Sequence, residues 1–264
     1  MEESLFIADG EQFVPSAHAR GPWDPGALHG GAPAALITRA FERMQPSSEL
    51  PIGRLSFEFL RPVPMAPLTL KTRVVRAGRR VQELAAELLA GGETIVRAAA
   101  LRVQAVPEQA ARAAAPAAQL SAPLPAVSDA QPLHFALNPS ASTSFATTAM
   151  EMRAFEDAHT LGPARVWMRL RLALIPGEPI TPMMRLAATA DFGNGISAAL
   201  AFERFLFINA DLSLHLLRAP SGEWIGLDAR TQLLAGGTGV AESVLHDERG
   251  ALGRAFQTLV VNER

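Results

Sequence analysis

Two places in the chain bring together residue types that can act on a carbonyl group. The first is Leu28-His29-Gly30-Gly31, set where an apolar, helix-periodic stretch begins. A helix start presents backbone N–H groups with no partner inside the helix, together with the positive end of the helix dipole. Glycines there let a ligand oxygen come close to the main chain. The motif reads in two ways. It can be a pocket for the negative oxygen that develops when a carbonyl is attacked, or a tight turn in which glycine only removes side-chain clashes. The second place is Asp191, in MMRLAATADFGNG. The residues before it are nearly all apolar or small, so its carboxylate is expected on or near a buried helix. An unpaired charge is costly there, and such a group is usually paired or functional. Gly193-Asn194-Gly195 just after it equally suits an Asp that ends a helix.

Much other chemistry is closed. The 264 residues include no cysteine and no tyrosine, which removes disulfides, thiolate sites and any tyrosine acid. The six histidines have no metal-ligand spacing, and neither a nucleophile elbow nor a phosphate or dinucleotide loop occurs, so neither a metal nor a cofactor is expected. Lys+Arg 24 against Asp+Glu 26 leaves no basic excess for nucleic acid or a membrane surface. The opening MEESLFIADGEQF lacks the basic and apolar regions of a signal peptide, and no run reaches the ~18 apolar residues of a membrane span. A cytoplasmic location without a membrane partner is therefore expected.

The elements that would carry these residues fall into two similar sets. An apolar helical stretch over 30–44 precedes β-rich segments at 53–62, 67–77, 80–90 and 93–104. A second helix from Pro182 precedes segments at 207–220, 223–235, 239–247 and 251–261, with extended runs at 144–155 and 164–174 ahead of it. Between the sets, 105–132 is rich in Ala and Pro, which forbids a long helix or a central strand and marks a linker. The units are thus 1–104, the linker 105–132, and 133–264. Leu55 to Arg61 aligns with Leu212 to Arg218, since 212 − 55 and 218 − 61 are both 157. The helix starts align at 182 − 29 = 153, which requires a four-residue insertion near Phe192–Gly195. At that offset Asp191 lies opposite Thr38. One half keeps the glycines and the other the carboxylate, so a single composite site per chain is expected. Each helix would be wrapped by antiparallel strands, giving an α+β architecture.

The segment HGGAPAALITRA resembles the helix start of hotdog thioesterases, and the chain outside the linker is similar to the double-hotdog type II acyl-CoA thioesterases. That resemblance implies a double hotdog, two antiparallel sheets each wrapped around a central helix, that hydrolyses an acyl-CoA without a cofactor. In that family an Asp, a hydroxyl or amide residue and a Gln of the second hotdog orient a water. Asp191 in TADFGNG, Asn209 in INADLSLHLLR and Gln257 in GRAFQTLVV match those positions, with an amide where the family has threonine. His29, Gly30 and Gly31 would face the thioester oxygen. His29 replaces an apolar residue common in type II members, and Trp23 stands where single-hotdog relatives often have Asn. Phe57, Phe59, Leu186 and Phe192 would line the acyl tunnel. Arg76, Arg79 and Arg80 would either meet a CoA phosphate or form a solvated turn. Unpaired edge strands favour a homo-oligomer. Two further readings are a non-catalytic acyl-CoA or lipid-binding protein and an enoyl-CoA hydratase. The latter wants an Asp with a nearby His, and no His lies beside Asp191 in the sequence.

Overall fold

The computed structural model describes residues 3–44, 50–114, 122–134, 143–155 and 161–264. Two helices, α1 (Gly31–Arg43) and α3 (Pro182–Ala190), are buried over most of their surface and pack against each other. Their sequences explain this. Apolar or small residues run nearly all round both, and a helix without a polar face must be enclosed. The two helices end differently. The N-terminus of α3 is capped by Thr181, whose hydroxyl accepts from Met184 N (3.1 Å) and donates to Glu42 Oε2 (2.6 Å). The C-terminus of α1 is closed by Arg102, which donates to the carbonyls of Phe41 and Met44 (both 2.7 Å). The N-terminus of α1 has Gly30 at the cap, which has no side chain to close it.

Fourteen strands among the described residues form one antiparallel sheet around these helices. The first set is β1 (Phe6–Asp9), β2 (Gln12–Pro15), β3 (Ile52–Phe59), β4 (Leu68–Ala77), β5 (Val81–Ala90) and β6 (Glu93–Val103). Two short elements then follow, the exposed helix α2 (Glu108–Ala113) and β7 (Gln131–Pro132). The second set is β8 (Met150–Ala154), β9 (Ala164–Leu170), β10 (Phe205–Asn209), β11 (Asp211–Leu216), β12 (Ile225–Leu233), β13 (Gly239–Asp247) and β14 (Gly250–Glu263). The four-residue helix α4 (Gly193–Ile196) occupies the place where the two repeat offsets require an insertion. The strand order is β1-β2-β4-β5-β6-β3-β11-β14-β13-β12-β9-β8-β7, with β10 also on β14.

The strands of the two halves run on into one continuous sheet. The reason is the β3–β11 pair, which leaves no edge between the halves. Its register sets Ser56 opposite Ser213, and these are also equivalent in the repeat, since 213 − 56 is 157. A residue paired with its own equivalent marks a local two-fold axis through that point.

Other expectations are corrected locally. The run 144–155 is extended only from Met150. Before it, Phe145–Ala149 forms a π-helical turn whose Ser144 hydroxyl accepts from Thr147 N (3.2 Å), while Thr148 Oγ1 donates to Ser144 O (2.7 Å). Ser and Thr side chains bonding their own backbone compete with a strand ladder. The run 164–174 leaves the ladder after Leu170, and the carbonyls of Ala173 and Leu174 accept from Leu5 and Phe6 (both 2.9 Å). Within the expected linker, residues 115–121 lie outside the described residues. The stretch after them crosses the sheet, with Trp167 Nε1 donating to Pro125 O (2.9 Å), and ends in β7 at the sheet edge. Pro132 in that edge strand removes no interior ladder bond. Arg76, Arg79 and Arg80 lie at the exposed β4–β5 turn.

Asp247, fully enclosed at the end of β13, is the main acid-sensitive point. Burial would push its carboxyl up, but two bonds from Arg218 (2.6 and 2.7 Å), the Arg249 N–H and the Ser221 hydroxyl bring it down to about 2. A carboxyl lowered on folding adds stability that is complete above its unfolded value of 3.8 and is lost as pH falls through the folded value. The contribution is about 2 kcal/mol. The stability gap between the wild type and Asp247→Asn, followed by thermal melts, is expected to shrink as pH drops below about 4. A gap that holds at low pH contradicts this.

Candidate active site

Asp191 terminates α3 and is 4% exposed, so it is at once a helix C-cap and a buried carboxylate. Each of its oxygens has one side-chain partner. Asn209 Nδ2 donates to Oδ1 (2.9 Å), and His29 Nδ1 lies 3.0 Å from Oδ2. His29 comes from the first half of the chain and the other two from the second, so tertiary contact between α1 and α3 assembles the group. The absence of a nearby histidine, true along the sequence, fails in space.

The local structure explains each placement. Asn209 ends β10 just before a β-bulge. Four residue steps from Asn209 to Ser213 face three steps from Leu259 to Phe256 on β14. Asp211 Oδ1 takes the Thr258 N–H (2.6 Å) in place of a ladder bond. Bulges re-aim side chains, and this one turns the Asn209 amide onto Asp191. The same amide also donates to Asp211 O (3.1 Å). Two acceptors fix the NH2 side of the amide, which leaves Asn209 Oδ1 as an acceptor.

The His29 ring packs against both Phe192 (centroids 4.2 Å) and Phe145 (4.9 Å), which also pack on each other (5.8 Å). Its Nδ1 also accepts from Gly31 N in this geometry (3.1 Å). One nitrogen cannot do both. With Asp191 ionised, Nδ1 carries the proton and donates to Oδ2.

The glycines divide the work. A Cβ at Gly30 would lie 2.8 Å from Asp191 Oδ2 and 3.0 Å from Oδ1, so the carboxylate rests directly over that residue. Gly30 borders the cavity, and among the described residues no acceptor takes its N–H. Gly31 is buried, and a Cβ there would overlap the Ala188 carbonyl, so it permits the close α1–α3 crossing. Its N–H faces His29, which corrects the expectation that Gly30 and Gly31 both donate to a substrate oxygen.

These groups open on a cavity of about 340 Å³ bounded by Trp23, Leu28, Phe59, Val63, Phe192, Ile208 and Val260. Most of its lining is apolar, and His29, Asp191, Asn194 and Asn209 border it together with Arg20, Asp24, Arg61, Ser144 and Thr147.

Two family models match the sequence, the acyl-CoA thioesterase N-terminal domain over residues 19–103 and the C-terminal domain over 107–261. The chain belongs to the acyl-CoA thioesterase family. It is a thioester hydrolase. Among solved structures it is similar to a proposed thioesterase of Novosphingobium aromaticivorans DSM 12444, at 20% identity over 97% of this chain and 98% of that one, TM-score 0.70. A hot dog fold protein of Alicyclobacillus acidocaldarius matches at 17% identity over 98% and 95%, TM-score 0.72. The acyl-CoA thioesterase II TesB2 of Mycobacterium marinum matches at 16% identity over 99% and 94%, TM-score 0.62. At these identities the likeness shows the hotdog α+β fold. No protein of curated function matches the chain in sequence.

In this thioesterase Gln257 differs from its expected place. Strand alternation does turn it inward, to 2% exposure, but its Nε2 donates to the Asp191 main-chain carbonyl (3.1 Å) and its Oε1 accepts from Asn194 N (2.9 Å). It therefore braces the turn after α3 from behind and does not border the cavity. Gly193 makes room for it, since a Cβ there would lie 2.7 Å from Oε1. Of the expected tunnel residues, Phe59 and Phe192 border the cavity while Phe57 and Leu186 are packed in the core. Asn194, whose Nδ2 donates to Phe207 O (3.0 Å), borders the cavity, although along the sequence it reads only as part of a helix-breaking turn. Among the described residues no helix is long and apolar enough to cross a membrane.

Proposed function

We propose that the chain is a double hotdog, with units 1–104 and 133–264, and that the cavity beside Asp191 hydrolyses an acyl-CoA thioester through water activated by that carboxylate. The observation that carries this is the buried Asp191 carboxylate, held by Asn209 and His29 beside the uncapped start of α1. Water oxygen attacks the thioester carbon while its proton passes to Asp191. Asn209 Oδ1 accepts from that water, and the Gly30 N–H with the α1 dipole meets the charge that collects on the carbonyl oxygen. Collapse re-forms the C=O bond, breaks the C–S bond, and returns the proton to the CoA sulfur. A base so placed accounts for about 10²–10⁴ in rate. Free-thiol release from acyl-CoAs of graded chain length should exceed background for at least one. With enzyme in excess and water labelled with heavy oxygen, the label should enter the acid in the first turnover. Label found on Asp191 instead would mean that the carboxylate attacks the thioester itself.

A second reading is hydration of an enoyl-CoA, which the 3.0 Å His29–Asp191 contact favours. Water would then add OH to the β-carbon and a proton to the α-carbon. Loss of the conjugated double bond's absorbance, with no thiol released, would select it.

A further inference from the structure

Among the described residues, every charged group bordering the cavity is engaged, with one exception. Asp191 holds Asn209 and His29, Asp24 accepts from Gly26 N (2.7 Å), and Arg61 pairs with Glu93 (2.6 Å). Arg20 also borders the cavity, and its guanidinium has no hydrogen-bond or carboxylate partner among the described residues. Its Nε is fully buried. Arg20 as a whole is half-buried, so the enclosed Nε is the atom left unmatched; an unmatched enclosed donor is costly, and a guanidinium is best satisfied by an anionic oxygen.

The position of Arg20 says which part of a substrate it meets. Its backbone pairs with Leu28, the neighbour of His29, and the preceding Ala19 O accepts from His29 N (3.0 Å). On its other side Arg20 O accepts from Phe145 N (2.9 Å), and the Phe145 ring packs on the His29 ring. Ser144 and Thr147, whose hydroxyls are 2.9 Å apart, border the same cavity. Arg20 is therefore tied into the backbone that carries the reacting groups. The phosphates of CoA are separated from the thioester by the whole pantetheine arm, whereas an anion on a short acyl group is not.

We propose that the acyl group this enzyme takes bears a second carboxylate close to the thioester, a short dicarboxylic acyl-CoA, and that Arg20 binds that carboxylate with the Ser144 and Thr147 hydroxyls nearby. The proposal rests on the hydrolytic reading of the cavity. Succinyl-CoA and butyryl-CoA share a four-carbon acyl chain and differ by the charge, so they are the comparison, with spontaneous hydrolysis subtracted. The wild type is expected to prefer succinyl-CoA in kcat/KM. Arg20→Gln should cut that value by about tenfold or more for succinyl-CoA and leave butyryl-CoA within about twofold. Arg20→Lys, which keeps charge but loses the planar fork, should fall between.

Three outcomes overturn the proposal. One is a wild type that hydrolyses butyryl-CoA as well as or better than succinyl-CoA. Another is an Arg20→Gln loss equal for both CoA esters and absent for the phosphate-free pantetheine thioesters, which would assign Arg20 to the carrier's phosphates. The third is read by calorimetry without turnover, as succinyl-CoA binding to Asp191→Asn unchanged when Arg20→Gln is added. Failure of hydrolysis on every thioester sinks the hydrolytic reading alone, because the calorimetric comparison still reports on Arg20.

Discussion

Asp191→Asn is expected to lose about 10²–10⁴ of kcat while the protein stays folded. The amide fills the same volume, and its oxygen still accepts from Asn209 Nδ2, which lies 2.9 Å from Asp191 Oδ1. Its NH2 would donate to His29 Nδ1 at the other carboxylate oxygen, the alternative to which that nitrogen is already suited by its contact with Gly31 N. What disappears is the proton acceptor. Removing a buried charge while its contacts survive does not destabilise, so the melting temperature should hold within a few degrees. Thr38→Ala is the matched control. Thr38 stands at the repeat-equivalent position, is fully buried, and its hydroxyl donates to Ala34 O (2.8 Å) in its own helix. Its kcat should be close to that of the wild type. Equal losses in both variants would mean that Asp191 acts only through the fold.

The two glycines at the start of α1 should fail in opposite ways when changed to alanine. Gly30→Ala drives a methyl between the α1 backbone and the Asp191 carboxylate, against Phe59 as well. The carboxylate sits on a short side chain and can swing aside, so most of the activity should go with little loss of stability. Gly31→Ala meets the Ala188 carbonyl, which belongs to the buried α3 backbone and cannot move away. Overpacking of this kind costs about 1–3 kcal/mol. It should lower the melting temperature first, with activity falling as the two helices part. Thermal melts alongside thiol release separate the cases. A Gly31→Ala protein of unchanged stability and no activity would place that N–H, not the packing, at the centre of the site.

Several features were legible in order along the chain, because they depend on local pattern. The helices at Gly31 and Pro182, the strands β3 to β6 and β11 to β14 and the 157-residue offset follow from periodicity and turn residues, whereas the short β1, β2 and β7 carry no such signal. The place of Asp191 at a buried helix end followed from the apolar run before it and the glycines after it. Local competition was harder to read. The Ser144, Thr147 and Thr148 hydroxyls convert a strand-like run into a π-helical turn, and that turn brings Phe145 onto His29.

Tertiary structure alone decided the composition of the site. Residues 29 and 191 are adjacent only because α1 and α3 cross, and they can cross closely only because Gly31 has no side chain. Gln257 points inward as its strand dictates, yet it bonds the Asp191 main chain because the turn into α4, and not the carboxylate, lies in front of it. Asn209 reaches the carboxylate through a bulge that exists only when β10 and β11 share β14. Residue types and strand phase are written in the sequence. Which atom a side chain finally meets depends on how separate elements approach one another, and that approach is set by packing of surfaces far apart in the chain.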